Sequence, residues 1–207
     1  NFDMTRSAED NYGRQPDTGT SKLAAAIDGT GGPGGNETFN LFDPSANSQE
    51  LRDWMRSDQE TWTNVVLSVV DFVMSGEVGD ISIAAGAQQR REKYDIKRSP
   101  NSIVEFDAAG NLTKPADMIF LGGGTESSAS RTTNAVFVEA STDLSDRLEL
   151  KGAMRYEDLE NDSNVDPKIS LRYEASDEVI LRASVSTSFR EPSLSQLYTS
   201  GVALQGI

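Results

Sequence analysis

The feature that most constrains this chain is a two-residue alternation of apolar and polar side chains through 147–190. Over 147–157, leucines, Met154 and Tyr156 alternate with charged or small residues, and the same rule holds over 167–174 and 179–190. Successive side chains of a β-strand point to opposite faces, so this period predicts three consecutive strands, each with one apolar and one polar face. A looser strand is predicted over Thr132–Ser141, with Ala135 and Phe137 on its apolar face.

The connections between these predicted strands alternate in length. Thr142–Asp146 and Ala175–Glu178 are predicted to be tight turns, whereas Asp158–Asp166 and the region from Pro192 onward are longer. Outer-membrane β-barrels have short periplasmic turns and long external loops, so the pattern is typical of such a barrel. A soluble β-sandwich also alternates, and on periodicity alone it is the commoner fold. No apolar run in the sequence is long enough for a transmembrane helix.

The chain as a whole is predicted to divide into a loop-rich segment, 1–60, and a segment of antiparallel barrel strands and loops, 61–207. The first is rich in Gly, Asn, Asp, Ser and Thr, which is typical of long loops. Asn47 followed by Glu50 is a capping-box pattern, which predicts one short helix there. The further predicted elements are a strand over 63–74, a turn over 75–79, a strand over 80–94 and a long loop over 95–131.

The composition excludes most enzyme chemistry. The chain has no cysteine and no histidine, so it contains no thiol nucleophile, no imidazole-based triad and no Cys or His metal ligand. A formal net charge of −14 argues against a nucleic-acid partner, because binding to phosphates depends on Lys and Arg. The acidic residues Asp158, Glu160, Asp162 and Asp166 lack the spacing of an EF-hand. No cofactor and no metal site are therefore predicted.

Several segments carry recognisable motifs. Asp166–Tyr173 contains PK-x-x-L-x-Y, Val179–Ser184 contains LRAS, and Phe189, Arg190, Pro192, Ser193 and Leu194 form FR-x-PS-L. Upstream, Ala84–Glu92 has the form A-x-G-A-Q-x-R-x-E, and Phe39–Asp43 contains FN-x-F. In this order and spacing the motifs resemble the barrel of TonB-dependent outer-membrane receptors, in which Glu is usual at the position of Gln88.

The resemblance covers most of Phe39–Tyr198 and implies a fold and a location. The implied fold is all-β: the chain would be an antiparallel segment of a transmembrane β-barrel. The complete barrel would have about 22 strands, long external loops and short periplasmic turns. The location is the outer membrane of a Gram-negative bacterium. Neither a plug domain nor a coupling box is found in the sequence, which begins without Met, so we expect a fragment, one incomplete domain.

The resemblance also implies transport and no catalysis. The implied partners are outer-membrane lipid, a plug domain, a TonB-type energy-coupling protein and a small transported ligand. That ligand would be scarce, such as a siderophore-iron complex, a cobalamin or an oligosaccharide. Two alternatives remain open, a passive outer-membrane porin or structural barrel, and a soluble β-sandwich binding module.

Basic residues dominate the polar face of the predicted strands. The face carries Arg147, Lys151, Arg155, Lys168, Arg172, Arg182 and Arg190, against Glu149, Glu157 and Glu174. Because the resemblance implies that this face lines the lumen, we expect Lys151, Arg155, Lys168, Arg172, Arg182 and Arg190 to contact acidic groups of the plug or an anionic ligand. The predicted loop aromatics Trp54, Tyr94 and Tyr198 are candidates for stacking on a ligand, although anchoring or packing is the commoner role of such rings.

Overall fold

The computed structural model describes residues 1–160 and 162–199 and consists mainly of long β-strands. Seven strands form one sheet in the order β1-β2-β3-β6-β7-β8-β9, and β4 and β5 form a separate pair. The strands are β1 (Phe2–Gln15), β2 (Gln59–Val78), β3 (Ile81–Arg98), β4 (Glu105–Phe106), β5 (Leu112–Lys114), β6 (Ser127–Ser145), β7 (Leu148–Asp158), β8 (Ser163–Ser176) and β9 (Val179–Ser186). The helices are α1 (Thr20–Ile27), α2 (Gln49–Met55) and α3 (Leu194–Tyr198). Within the described residues, none of the helices has the length and apolar character needed to cross a membrane.

The strands β6 to β9 pair antiparallel in sequence order, which confirms the strands predicted from the alternation. In the β7–β8 pair, Leu150 lies opposite Leu171 and Lys151 lies opposite Ser170. In the β8–β9 pair, Ile169 lies opposite Val185. Apolar residues therefore face apolar residues across each pair, because the two-residue period is kept in register through consecutive strands.

The apolar face of these strands is exposed, whereas the polar face is partly buried around Arg155 and Glu157 and exposed along β9. Ile169 is 60% exposed, Leu181 56% and Val185 80%. On the polar face, the side chains of Arg155 and Glu157 are only 30% and 12% exposed. This distribution is the reverse of the one in soluble domains, where the apolar face of a sheet is buried.

Ala135 and Phe137 lie on the polar face, so the prediction that placed them on the apolar face of their strand is wrong. The register sets Phe137 opposite Arg155, and the exposed face of β6 carries Val136 and Val138 instead. A side chain at Gly86 would lie 2.5 Å from both the Phe137 ring and the Phe72 carbonyl oxygen. The glycine leaves a hollow in the polar face that the Phe137 ring fills, which a period of two cannot reveal.

Several predicted boundaries are also wrong. Strand β1 occupies Phe2–Gln15, where only loop was predicted, because its polar residues hide the strand pattern. The turn between β2 and β3 lies at Gly79 and Asp80 rather than over 75–79, since Gly79 supplies the positive φ of 62° that a tight turn requires. Strands β7 and β8 extend into the predicted loop over Asp158–Asp166. The closing run 201–207 lies outside the described residues.

The described chain forms two compact units. One comprises 1–8, 66–93 and 130–194, and it contains β7, β8 and β9 complete. The other comprises, among the described residues, 9–65, 94–129 and 195–199, and it contains α1, α2 and the β4–β5 pair.

The unit that contains α1 and α2 has a small apolar core. Ala26, Leu51 and Met55 are buried there, and Leu23, Phe39 and Trp54 pack against them. The predicted short helix is confirmed, but its N-cap is Ser48, whose hydroxyl accepts a hydrogen bond from the Leu51 amide at 2.9 Å. Asn47 instead accepts from the Asn40 amide at 2.7 Å, so it stabilises the loop before the helix.

Candidate functional site

The candidate site is the polar face of the unit that contains β7, β8 and β9. In the β7–β8 register, Arg155 lies opposite Asp166, Ala153 opposite Lys168 and Glu149 opposite Arg172. Arg172 in turn lies opposite Arg182 on β9. Five of the six cations predicted from the sequence therefore share this face: Lys151, Arg155, Lys168, Arg172 and Arg182.

Arg190 does not belong to the strand that was predicted to carry it. Strand β9 ends at Ser186, so Phe189, Arg190, Pro192 and Ser193 of the FR-x-PS motif follow the strand as irregular chain. Phe189 and Arg190 nevertheless line a cavity of about 420 Å³ beside the polar face.

Three of the cations on the polar face are paired with carboxylates. Lys151 Nζ lies 2.5 Å from Glu139 Oε1 and Arg172 Nη2 lies 2.6 Å from Glu174 Oε1. Arg155 Nε donates to Glu157 Oε1 at 2.9 Å. These charges are compensated within the chain, which reduces their attraction for an external anion.

Lys168 and Arg182 have no ion pair or side-chain hydrogen bond to any of the residues that the structure describes. Together with Lys151 and Arg172 they line a cavity of about 300 Å³ in which the single acidic group is Glu149. Arg172 and Arg182 face each other across the β8–β9 pair, an arrangement of like charges that destabilises a sheet. We name Lys168, Arg172 and Arg182 the cationic patch.

A hydrogen-bonded chain of side chains crosses the polar face beside Arg155. Gln88 Oε1 accepts from Arg155 Nη2 at 2.7 Å, and Gln88 Nε2 donates to Asp71 Oδ1 at 2.7 Å. The sequence marked Gln88 only as a departure from a motif. Its role was missed because its partners lie on other strands, 17 and 67 residues away in the chain.

Arg131 is a second residue that the sequence did not single out. Its side chain is only 5% exposed, and its guanidinium contacts Glu92 on β3 and Glu191 beyond β9. Arg131 Nη1 also donates to the Pro192 carbonyl oxygen at 2.9 Å. The predicted strand began at Thr132, one residue too late to include Arg131. A basic residue within the run of small, mostly polar residues over 127–134 was the available signal.

The three predicted loop aromatics lie in regular elements. Trp54 is in α2 and packs against the small core, with Lys22 Nζ 5.7 Å from its ring centroid. Tyr94 is in β3, is buried, and its hydroxyl lies 2.6 Å from Thr199 Oγ1. Tyr198 is in α3 and is exposed. Of the three, Tyr198 alone presents a largely free ring.

The unit that contains α1 and α2 carries a separate ionic cluster. Asp58 accepts from Arg14 Nε and from Arg56 Nε, each at 2.7 Å. The hydrogen bond from Arg56 holds the pKa of the Asp58 carboxyl below its usual range, and Arg14 adds to the effect while partial burial opposes it. This cluster connects the end of β1 to the segment after α2.

Comparison with known proteins gives a match to a family model. Searches of curated proteins and of solved structures found nothing similar. A sequence model of the family described as TonB dependent receptor-like, beta-barrel, matches residues 2–206, nearly the whole chain. The chain therefore belongs to the TonB-dependent receptor β-barrel family, whose members are transport proteins of the Gram-negative outer membrane and not enzymes.

Proposed function

We propose that this chain forms part of the wall of a barrel through which a scarce ligand is taken up with energy supplied by a TonB-type coupling protein. The complete wall would have about 22 strands around a plug domain. The segments 1–60 and 61–207 would both contribute to it. A siderophore-iron complex, a cobalamin and an oligosaccharide are the ligand classes we consider.

The observation that supports this proposal is the reversed sheet. In water, an exposed apolar face of this extent would drive association or aggregation. In a bilayer the same face contacts lipid, while the polar face lines an interior filled by water or protein. The exposed Ile169, Leu181 and Val185 and the half-buried Arg155 suit that environment.

We further propose that the cationic patch contacts an anionic group in the barrel interior. Arg155, Lys151 and Arg172 have carboxylate partners, and Arg190 follows the end of β9. Lys168 and Arg182 have none among the described residues, so they are the cations best placed to attract a carboxylate of the plug or an anionic ligand.

Energy dependence is the test of the uptake function. Cells that display the receptor carrying this chain would be given labelled ligand of each class, with and without the coupling protein. We expect saturable accumulation of one class that is lost when the coupling protein is deleted. Accumulation that continues without the coupling protein would support a passive porin instead and would contradict the proposal.

A further inference from the structure

A buried arginine attaches the segment that follows β9 to the polar face. Arg131 lies on β6, and both Nε and Nη2 of its guanidinium donate to Glu92 Oε2 on β3. Its Nη1 lies 2.9 Å from Glu191 Oε2 and donates to the Pro192 carbonyl oxygen at 2.9 Å. One guanidinium therefore joins two strands to a segment about 60 residues later in the chain.

The two ends of this segment are held by other contacts. At its start the Thr187 amide donates to the Pro167 carbonyl oxygen at 3.2 Å. At its end Leu194 is buried, with 7% of its surface exposed. Residues 189–193 between these points lie in no helix or strand, and the contacts of Arg131 with Glu191 and Pro192 hold the middle of the segment.

The segment faces the wall across a cavity whose charges are balanced. The cavity of about 420 Å³ is lined by Phe189, Arg190, Glu191 and Ser193 of the segment and by Arg155, Glu157 and Asp166 of the wall. Arg90, Glu92 and Arg131 complete it, giving four arginines and four carboxylates. Since its charges cancel, this cavity differs from the cationic patch and is not an attractive site for an anion.

We propose that residues 189–193 form a strap across the polar face and that Arg131 is the positioning residue that latches it. A buried guanidinium that loses its partners carries a large desolvation penalty, so the latched position is strongly favoured while both carboxylates are in place. Opening the latch would expose the wall around Arg155 and Glu157 to the interior. The proposal goes beyond the uptake function and does not depend on which ligand is carried.

A nitroxide label on the strap tests this directly. The chain has no cysteine, so Arg190→Cys gives one labelling site in it, at a side chain for which the described residues offer no ion pair. In the receptor in detergent, we expect the label to be motionally restricted. Arg131→Met should make its motion severalfold faster, and Glu191→Ala should do so to a smaller extent, because it leaves the hydrogen bond to the Pro192 carbonyl oxygen in place. Arg131→Lys should also give an intermediate spectrum, because an ammonium lacks the planar fork.

Two controls separate the latch from general loosening. Arg91→Gln neutralises a neighbouring exposed arginine of β3 and should leave the strap label restricted. A label at Met154→Cys, on the apolar face of β7, should keep the same spectrum in every variant. Glu191→Ala leaves the Arg131–Glu92 pair and the hydrogen bond from Arg131 to the Pro192 carbonyl oxygen in place. Arg131→Lys keeps a cation beside Glu92 but lacks the planar fork, so it tests the latch even if Arg131→Met fails to fold. A strap label that stays fully restricted in both Arg131→Lys and Glu191→Ala would overturn the proposal.

Discussion

At the scale of single residues, Gln88 shows how one amide satisfies two charged neighbours. Its oxygen accepts from Arg155 and its nitrogen donates to Asp71, each at 2.7 Å. A glutamate at this position could accept from Arg155 but has no donor for Asp71. Glutamine is therefore the residue that fits beside Asp71.

We predict that Gln88→Glu destabilises the receptor by about 1–3 kcal/mol, because it places two carboxylates at hydrogen-bond distance on a partly buried surface. Adding Asp71→Asn should restore most of the loss in the double variant, since the new amide can donate to the introduced carboxylate in place of the lost bond. Urea unfolding in detergent measures both effects. If Gln88→Glu were as stable as the parent, the hydrogen bond from Gln88 to Asp71 would contribute little to the free energy of unfolding.

The cationic patch gives the second residue-scale prediction. Neutralising Lys168 and Arg182 together to Gln should lower uptake roughly tenfold or more, because a charge-assisted contact contributes about 1.5–3 kcal/mol. The matched control is Arg147→Gln, which removes a cation in the turn before β7, away from the patch. Uptake of the labelled ligand is compared at equal surface abundance. Unchanged uptake in the double variant would exclude a role of the patch in transport.

At the scale of elements, the ionic cluster around Asp58 should make the segment after α2 sensitive to acid. The folded pKa of Asp58 lies below its ordinary value of 3.8, chiefly because Arg56 donates to it. A depressed folded pKa means that the carboxylate stabilises the fold above pH 3.8 and that this stabilisation is lost as the pH falls through the folded pKa.

Hydrogen exchange, corrected for its intrinsic pH dependence, checks this expectation. Between pH 6 and about pH 3, the exchange rate of amides in 49–58 should rise in the parent chain. It should change far less in Asp58→Asn, which has no carboxylate to protonate at this position. Asp107→Asn is the control, because the lowered pKa of Asp107 arises from Asn111 within the β4–β5 hairpin. Equal pH dependence in the parent and Asp58→Asn would contradict the assignment.

The sequence correctly predicted the strands in which one face is apolar and the other is polar. Strands β7 and β8 and their polar faces were predicted because one side chain in two is apolar. The same signal fails for β1, where Arg6, Glu9 and Asp10 interrupt any apolar face, and for β6, where Phe137 turns toward Gly86. A two-residue period indicates whether each face of a strand meets an apolar or a polar environment. It does not indicate that an aromatic ring fills one particular hollow.

The candidate site was predictable to a similar degree. The cations of the polar face followed from alternation, but which of them are paired did not. Arg155–Glu157 and Arg172–Glu174 each join residues two apart on one strand, whereas Lys151–Glu139 joins two strands. The contacts that Arg131 makes with Glu92 and that Gln88 makes with Arg155 join residues 39 and 67 positions apart in the chain. Such contacts follow from how the strands are ordered in the sheet, which local pattern does not specify.

At the scale of the whole molecule, the reversed sheet explains an acidic chain with only 36% hydrophobic residues in a membrane protein family. A strand that contacts lipid on one side needs apolar residues at only every second position. The polar face and the loops then carry the charged residues. A polar average composition and a lipid-facing surface are therefore compatible.

A pair of arginine substitutions on neighbouring strands measures which face meets lipid. Met154→Arg places a charge on the exposed apolar face of β7, and Ser141→Arg places one on the polar face of β6, in a cavity that also contains Glu77 and Glu139. For a residue in lipid we expect Met154→Arg to destabilise the receptor in bilayers by about 2–4 kcal/mol near the midplane, and Ser141→Arg to have an effect near zero. Folding into lipid vesicles, followed by urea titration, gives both values. If both faces met water, as in a soluble domain, Met154→Arg would be as harmless as Ser141→Arg, and the bilayer placement of this sheet would be wrong.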